Sequence, residues 1–206
     1  MREEKFVVVD VETTGLNLKK DRIISIAMIP MDGLRIQMND VFTAYIRPEN
    51  VDDLSISSAK YHGIIPKDIE DAPSFCALSH KIEGMLQERI VVGHGITIDI
   101  EFLEKEFKNC SKYVKIERFL DIAMMERVIG EIFGERPKNE DLTLEALARK
   151  YNVEMNYRHS ALADALIEAH IFQIQVMRLI KYGINTFEAL NSFIQRVGLD
   201  MGSFTF

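Results

Sequence analysis

The stretch FVVVDVETTG, residues 6–15, joins an apolar run directly to two acidic residues. The run Phe6–Val9 favours a buried strand, and Asp10 and Glu12 stand on alternate positions at its C-terminal end. Side chains two positions apart on a strand point to the same face of a sheet. Two carboxylates at one spot repel each other unless a cation neutralises them, and Mg²⁺ is typically bound by carboxylates together with substrate phosphates. The stretch therefore predicts a divalent-metal site that serves phosphate chemistry.

The composition is that of one globular domain of 206 residues, with 47% hydrophobic and 28% charged residues. No apolar stretch could span a bilayer, and the N-terminus lacks the apolar region of a signal peptide. The two cysteines, Cys76 and Cys110, lack metal-site spacing, so we expect reduced thiols in a cytoplasmic protein without membrane contact. The net charge of −7 argues against indiscriminate coating of nucleic acid but allows an enzyme that holds a few nucleotides at a metal-filled pocket.

Three predicted strands come first, followed by an alternation of helices and short strands. The strands Phe6–Asp10, Arg22–Met31 and Leu34–Ile46, with an Asp32-Gly33 turn before the third, form an antiparallel meander. Two further strands are predicted over Ile90–Val92 and Arg118–Leu120. The predicted helices cover Ser57–His62, Pro66–Glu70, Ala72–Glu88, Ile98–Lys108, Asp121–Glu131, Thr143–Tyr151, Ser160–Tyr182 and Thr186–Val197. The pattern implies an α/β fold, a mixed sheet with helices on its faces.

Two further segments carry acidic residues where a ligand site is expected. Asp99 falls in the first turn of a helix that follows a short strand, and open α/β sheets bind ligands at such strand ends. An acid at a helix start is also favoured by the helix dipole alone. His159 precedes the longest predicted helix, and Asp164 lies just over one turn inside it. Taken alone, this pair also fits a helix-flanking histidine and a solvent-facing aspartate.

Together these motifs resemble the DEDD superfamily of 3′-to-5′ exonucleases, in the branch with a histidine in the last motif. The resemblance covers about residues 6–180. Within this superfamily, the chain is similar to the proofreading epsilon subunit of bacterial DNA polymerase III. The strings YHGI at 61–64, DIEDAPSF at 68–75 and FLD at 119–121 add to it. It implies a ribonuclease H-like mixed five-stranded sheet, three strands antiparallel and two parallel, flanked by helices. We expect an exonuclease domain over 1–183, with a C-terminal helix and tail over 184–206 packed on it.

The resemblance also implies roles for individual residues. Two divalent ions, Mg²⁺ or Mn²⁺, would be held by Asp10, Glu12, Asp99 and Asp164, and His159 would take the proton of the attacking water. Residues implied to contact the terminal nucleotide are Thr13, Thr14, Gly15, His62 and Ile98. For residues 13–15, the alternative to substrate contact is a simple turn, with Gly15 present for its φ angle. For His62, the alternative is a surface position without a role. Gly95 and Ile98 stand where the family usually has an asparagine and an aromatic residue. The site therefore lacks one hydrogen-bonding side chain and one aromatic surface for stacking on the terminal base.

The function implied is a two-metal-ion exonuclease that trims single-stranded DNA from the 3′ end, for proofreading or repair, and releases 5′-mononucleotides. An exoribonuclease acting on short RNA or RNA 3′ ends is the close alternative, because both would use the same catalytic set. An inactive nucleic-acid-binding or scaffold module is the alternative from another class. The helix Thr186–Val197 either seals the domain's own core or docks on a DNA polymerase or a second copy of the chain. The tail Leu199–Phe206 is either loose or a partner-binding peptide.

Overall fold

The protein is built around a six-stranded mixed sheet. The structure is a computed structural model that describes residues 1–49, 62–155 and 159–197. Its strands are β1 (Lys5–Thr13), β2 (Ile23–Asp32), β3 (Arg35–Ile36), β4 (Phe42–Tyr45), β5 (Ile90–Gly93) and β6 (Phe119–Asp121). The α-helices with full bounds are α1 (Pro66–Ile69), α2 (Phe75–Leu86), α3 (Ile96–Asn109), α4 (Ile122–Phe133), α5 (Leu144–Tyr151), α6 (Ala161–Tyr182) and α7 (Phe187–Val197). The sheet order is β3-β2-β1-β5-β6, with β4 also paired to β2.

The predicted α/β class and N-terminal meander are confirmed, but the sheet has six strands and not five. β2 pairs antiparallel with β1, β3 and β4, whereas β5 pairs parallel with β1 and β6. The region 34–46, predicted as one strand, is two strands separated by the short 3₁₀ helix Met38–Asp40. Both pieces find hydrogen-bonding partners on β2, so the break adds a strand without changing the architecture.

β1 also extends further than predicted, to Thr13, because its pairing with β2 continues to the Thr13–Ile23 register. Alternate residues of β1 enter two separate hydrophobic cores. Phe6 and Val8 belong to the core under α4, α5, α6 and α7, here called the first core. Val7 and Val9 belong to the core under α2 and α3, the second core. The sheet is therefore covered by helices on both faces.

The long helix α6 lies across the face of the sheet that carries the first core, and it contacts β1 and β2. Phe172 on α6 packs edge-on against Phe6 of β1, with ring centroids 4.9 Å apart. The helix ends at Gly183, whose φ of 98° places it in the left-handed conformation that a glycine adopts without steric cost. The predicted helices within the described ranges are present with bounds shifted by a few residues. The predicted helix over 57–62 lies outside the described residues apart from His62.

The prediction of two reduced cysteines is wrong, because Cys76 and Cys110 form a disulfide. Cys76 lies on α2 and Cys110 is the residue at the end of α3, and the packing of these two helices brings their Cα atoms to 5.3 Å. That separation is within the range a disulfide spans. The two residues are 34 positions apart in the chain, and nothing in that spacing indicates which helices pack together. The expectation of a cytoplasmic protein thus loses the support it drew from free thiols.

The C-terminal helix α7 places three residues, Phe187, Leu190 and Ile194, in the first core. This contact favours the interpretation in which α7 seals the domain, although the division at 183/184 stays a prediction. The tail Leu199–Phe206 lies outside the described residues. Across the described ranges, no helix combines the length and the apolar character that crossing a bilayer requires.

Candidate active site

Three acidic side chains from two elements meet above the C-terminal end of β1. Asp10 and Glu12 of β1 and Asp164 of α6 each offer a carboxylate oxygen, and these oxygens lie within 4.8 Å of one another. Asp10 and Glu12 have the same alternation as Phe6 and Val8, so they project on the side of the sheet that α6 covers. The alternation of β1 thus changes from hydrophobic to acidic as the strand leaves the first core.

The register of α6 on β1 brings Asp164 to Asp10. The contact between Phe6 and Phe172 fixes one end of this register. Four residues of strand span about 13 Å and eight residues of helix span about 12 Å. A helix that runs back along the strand from Phe172 therefore reaches Asp164 where the strand reaches Asp10. The acidic cluster is a consequence of hydrophobic packing at the other end of the same two elements.

Asp99 joins the site through the backbone of β1. Its Oδ1 accepts a hydrogen bond of 3.1 Å from the N–H of Val11, which lies between the two acids of the strand. The pairing of β5 with β1 ends at Val8. Beyond that point, β1 is contacted by Asp99 in the first turn of α3. Burial raises the pKa of Asp99 to about 8, against the opposing effect of the Val11 hydrogen bond and with smaller contributions from the charges of Asp121 and Glu12.

Glu168 is a buried glutamate close to the acidic cluster and is not among the residues predicted from the sequence. It lies one turn after Asp164 on α6 and is 1% exposed. Its Oε1 accepts a hydrogen bond of 3.2 Å from the N–H of His94, just after β5. Burial, followed by the negative charges of Asp10, Asp99 and Asp164, raises the pKa of Glu168 well above its ordinary value. The i, i+4 spacing from Asp164 was the available signal, since such residues share a helix face.

Asp121 is buried near this cluster but has a structural role. Its Oδ1 accepts from the N–H groups of Ala123 and Met124, which caps α4. Its Oδ2 accepts from the N–H of Ile96 in the first turn of α3. Asp121 thereby ties two helix N-termini together, and one of them carries Asp99.

His159 lies outside α6, five residues before Asp164, and is exposed. Its φ of 66° puts it in the left-handed region, which is uncommon for a residue with a side chain and costs of order 1–3 kcal/mol. Residues 156–158 before it lie outside the described ranges. Asp164 is tied to the same segment, because its N–H donates to the carbonyl of Ser160 at 2.9 Å.

The loop after β1 is held by hydrogen bonds within the protein. The N–H of Thr14 donates to the carbonyl of Arg22 at 2.9 Å, and the Thr14 hydroxyl donates to Asp21 at 3.0 Å. The Thr13 hydroxyl donates to the carbonyl of Gly15. The N–H of Thr14 is therefore engaged within the protein, and contact of Thr14 with substrate stays a prediction.

Gly15 is not required for a positive φ, which the alternative interpretation of this loop assumed. It is required by close approach, since a Cβ there would stand 2.6 Å from Oδ2 of Asp21. The Asp21 carboxylate also accepts from Asn17 N–H at 2.7 Å and from the Thr14 hydroxyl. The small size of Gly15 thus lets Asp21 organise the whole loop.

The remaining residues predicted to contact substrate are His62 and Ile98. His62 is partly buried, its Nδ1 accepts from the N–H of Ile64, and burial lowers its pKa. Ile98 is partly exposed in the first turn of α3, next to Asp99. Gly95 precedes that helix with a φ of 64°, a conformation that glycine and asparagine adopt more readily than other residues. The replacement of asparagine by glycine is therefore compatible with the backbone.

Residues 7–172 match a family described as "RNase_T: Exonuclease", which is most of the chain. The chain belongs to this exonuclease family. The matched range includes Asp10, Glu12, Asp99 and Asp164 as well as His159. The family assignment agrees with the resemblance that the motifs indicate, and it includes the whole acidic cluster.

Two relatives show how the exonuclease chain compares with DNA polymerase III proteins. It is 27% identical over 191 residues to the DNA polymerase III PolC-type protein of Bacillus subtilis, covering 93% of this chain and 13% of that protein. It is 27% identical over 179 residues to the DNA polymerase III subunit epsilon of Buchnera aphidicola, covering 84% of this chain and 73% of the subunit. The chain thus spans most of the epsilon subunit but about an eighth of PolC.

The fold matches that of solved exonuclease structures. The nuclease domain of 3′hExo, a DEDDh family member bound to rAMP, superimposes with a TM-score of 0.71 at 18% identity. The match covers 89% of this chain and 94% of that domain. The ribonuclease H-like exonuclease architecture is therefore established for this chain, with its six-stranded sheet.

Proposed function

We propose that the chain is a metal-dependent 3′-to-5′ exonuclease that cleaves phosphodiester bonds at nucleic-acid 3′ ends and releases 5′-mononucleotides. The observation that carries the proposal is the convergence of Asp10, Glu12 and Asp164 within 4.8 Å in a chain of the exonuclease family. Single-stranded DNA is the proposed substrate because the two relatives above are DNA polymerase III proteins. Proofreading or repair is the corresponding role.

The donor set of the site fits Mg²⁺ or Mn²⁺. It consists of carboxylate oxygens, which these hard cations prefer, and within the described ranges no cysteine or histidine joins the cluster as zinc would favour. Asp10, Glu12 and Asp164 would hold the ions, with Asp99 beside them. Two such ions, when bound, stabilise the attacking and leaving oxygens of an in-line displacement.

His159 is the proposed general base. A histidine imidazole is the side chain that most often takes a proton from a reacting group in such reactions. The strained left-handed backbone at this residue supports a functional role, because such strain is most often retained at active sites. Its exposure leaves the ring able to approach a bound 3′ end.

The 3′-terminal nucleotide is proposed to lie beside the loop after β1. The contacts proposed there are the backbone of Thr13 and Gly15, with His62 and Ile98 lining the same pocket. The N–H of Thr14 is omitted, because the carbonyl of Arg22 accepts its hydrogen bond. Thr14 itself supports the loop through Asp21. Ile98 offers an apolar surface to a base in place of an aromatic ring.

RNA is the alternative substrate, favoured by the likeness to a nuclease domain bound to rAMP. DNA and RNA differ here by the 2′-hydroxyl, whose acceptance depends on the shape of the nucleotide pocket. A DNA polymerase or a second copy of the chain is the proposed macromolecular partner. An inactive scaffold is disfavoured, because it would not need clustered acids that repel one another.

The test uses matched single-stranded DNA and RNA oligonucleotides labelled at the 5′ end, with the purified chain and Mg²⁺ or Mn²⁺. We expect a ladder that shortens from the 3′ end, 5′-mononucleotides as products, and faster loss of DNA than of RNA. A ladder that shortens from the 5′ end, or internal cuts alone, would contradict the proposal. Faster loss of RNA would favour the alternative substrate.

Two controls sharpen this test. Excess EDTA should abolish the reaction, and added Mg²⁺ should restore it, because the acids require cations to hold a phosphate. An oligonucleotide with a 3′-phosphate should resist cleavage, since the loop 13–15 has no basic side chain to receive it. Full activity in EDTA with metal-free protein would refute the metal requirement.

A further inference from the structure

Three glutamates are buried in the described part of the chain, and two of them have cationic partners. Glu126 is 1% exposed and lies 2.8 Å from the ammonium group of Lys150. Glu106 is 6% exposed and has Arg22 and Lys105 at 3.9 Å. These pairs follow the general rule that a buried charge is compensated by an opposite charge or a metal.

Glu168, the third, has no such partner. It is 1% exposed, and within the described ranges no lysine, arginine or histidine forms an ion pair with it. Its Oε1 has the N–H of His94, but its Oε2 is buried without a hydrogen-bond partner. The charged groups that act on it most strongly are instead three acids, Asp10, Asp99 and Asp164. An uncompensated carboxylate among other carboxylates is costly unless it takes up a proton or a cation from outside the protein neutralises it.

The position of Glu168 on α6 directs it toward the metal site. It follows Asp164 by four residues, so both lie on one face of the helix. It precedes Phe172, which is packed on Phe6, by the same interval. Glu168 therefore lies between the first core and the acidic cluster, on the buried side of the three converging carboxylates.

From these observations we propose that Glu168 is a fifth acidic residue of the metal site and stabilises a divalent cation there from its buried side. The proposal rests on the proposed metal-dependent function. It extends the acidic set beyond Asp10, Glu12, Asp99 and Asp164. Glu168 is a positioning residue in this role, because it acts on the cation and does not contact the reacting phosphate.

The rival explanation is purely structural, with Glu168 present to accept the His94 hydrogen bond. The substitution Glu168→Gln separates the two roles. A glutamine carbonyl can still accept from the His94 N–H and has nearly the same volume, but it brings no negative charge to a cation. Glu126→Gln is the matched control, since it makes the same change at an equally buried position outside the acidic cluster.

The measurement is Mn²⁺ binding to the full chain by titration calorimetry, with thermal unfolding in EDTA to establish that each variant is folded. We expect Glu168→Gln to weaken Mn²⁺ binding by about 10–100-fold, the usual effect of losing a residue that supports a metal site. Glu126→Gln should bind Mn²⁺ as the wild type does. In EDTA, Glu168→Gln should unfold at the wild-type temperature or above it, because repulsion within the cluster is relieved.

Each outcome bears on the proposal. If the wild type binds Mn²⁺ and degrades DNA while Glu168→Gln binds Mn²⁺ equally well, the inference about Glu168 is overturned and the proposed function stands. If the wild type neither binds Mn²⁺ nor degrades nucleic acid, both fail together. If Glu168→Gln is destabilised in EDTA and Glu168→Asp, which keeps the charge, does not restore Mn²⁺ affinity, the structural explanation replaces the proposal.

Discussion

At the scale of single residues, Asp10 and Asp164 are within reach of one cation although they are 154 positions apart in the chain. Their carboxylates repel each other in the metal-free protein and would hold a cation, so their removal should have opposite effects on activity and on stability. The same reasoning does not apply to His159, which is exposed and lies before the start of α6. Substitutions at these residues therefore distinguish ligands from the general base.

We expect Asp10→Asn and Asp164→Asn to lower turnover by at least about 10³-fold, because several kcal/mol of transition-state charge stabilisation by metal is lost. Both variants should stay folded and, without metal, unfold at higher temperature than the wild type. The measurements are nucleotide release from a DNA oligonucleotide and thermal unfolding in EDTA. Glu101→Gln, an exposed acid on α3, is the control and should behave as the wild type. Near-normal turnover in either aspartate variant would show that the metal site is misassigned.

His159→Ala should reduce turnover by about 10²–10⁴-fold, the usual loss on removing a general base. Its Mn²⁺ affinity should change far less than that of Asp10→Asn. His170→Ala, which removes an exposed histidine further along α6, is the matched control and should keep the wild-type turnover. A loss of Mn²⁺ affinity as large as in the acid variants would make His159 a ligand.

At the scale of secondary-structure elements, α2 and α3 are packed together and joined by the Cys76–Cys110 disulfide. Closing a loop of this length restricts the unfolded chain, so the bond should contribute about 2–4 kcal/mol to the free energy of unfolding. Replacing both cysteines by serine should therefore lower stability by that amount in denaturant titrations without reductant.

The control for the disulfide is the same comparison with excess reductant, where the wild type and the double variant should have similar stability. A thiol-reactive dye added to the unfolded wild type without reductant should find no free thiol. Two reactive thiols per chain under those conditions would contradict the disulfide. The acidic site depends on α3 for Asp99, so the reduced protein should also be compared for Mn²⁺ affinity.

At the scale of the whole molecule, the acidic cluster should make stability depend on pH. The pKa of Asp99 is raised from 3.8 to about 8, so the folded chain holds this proton more tightly than the unfolded chain. Protonated Asp99 therefore increases the free energy of unfolding at low pH, and this contribution is lost as the pH rises from about 4 to about 8. Burial and neighbouring acids also raise the pKa of Glu168, so Glu168 changes the free energy of unfolding with pH in the same direction as Asp99.

We expect the unfolding temperature of the metal-free protein to fall as the pH rises from about 5 to 8, where ordinary carboxyl groups are already ionised. Saturating Mg²⁺ should remove most of that fall, because metal binds the ionised carboxylates and displaces their protons. The Asp99→Asn variant in EDTA is the control and should show a shallower fall. An unfolding temperature in EDTA that is constant over this pH range would contradict the clustered burial of these acids.

The fold class and the acidic motifs follow from local patterns in the sequence. The apolar run before Asp10 and Glu12 predicts a strand that ends in two acids on one face, and strand periodicity is a local property. The same holds for the predicted helix that carries Asp164. Local patterns such as these depend on neighbours in the chain, so they can be read without the tertiary structure.

Which distant groups meet depends on the packing of the folded chain. The packing of Phe172 on Phe6 sets the register that brings Asp164 to Asp10, and the same register buries Glu168 among the acids. The packing of α2 against α3 creates the disulfide. The pairing of Thr14 with Arg22 engages a backbone N–H of the loop within the protein. These contacts join residues that are far apart in the chain or face each other across a loop, and local sequence periodicity carries no information about them.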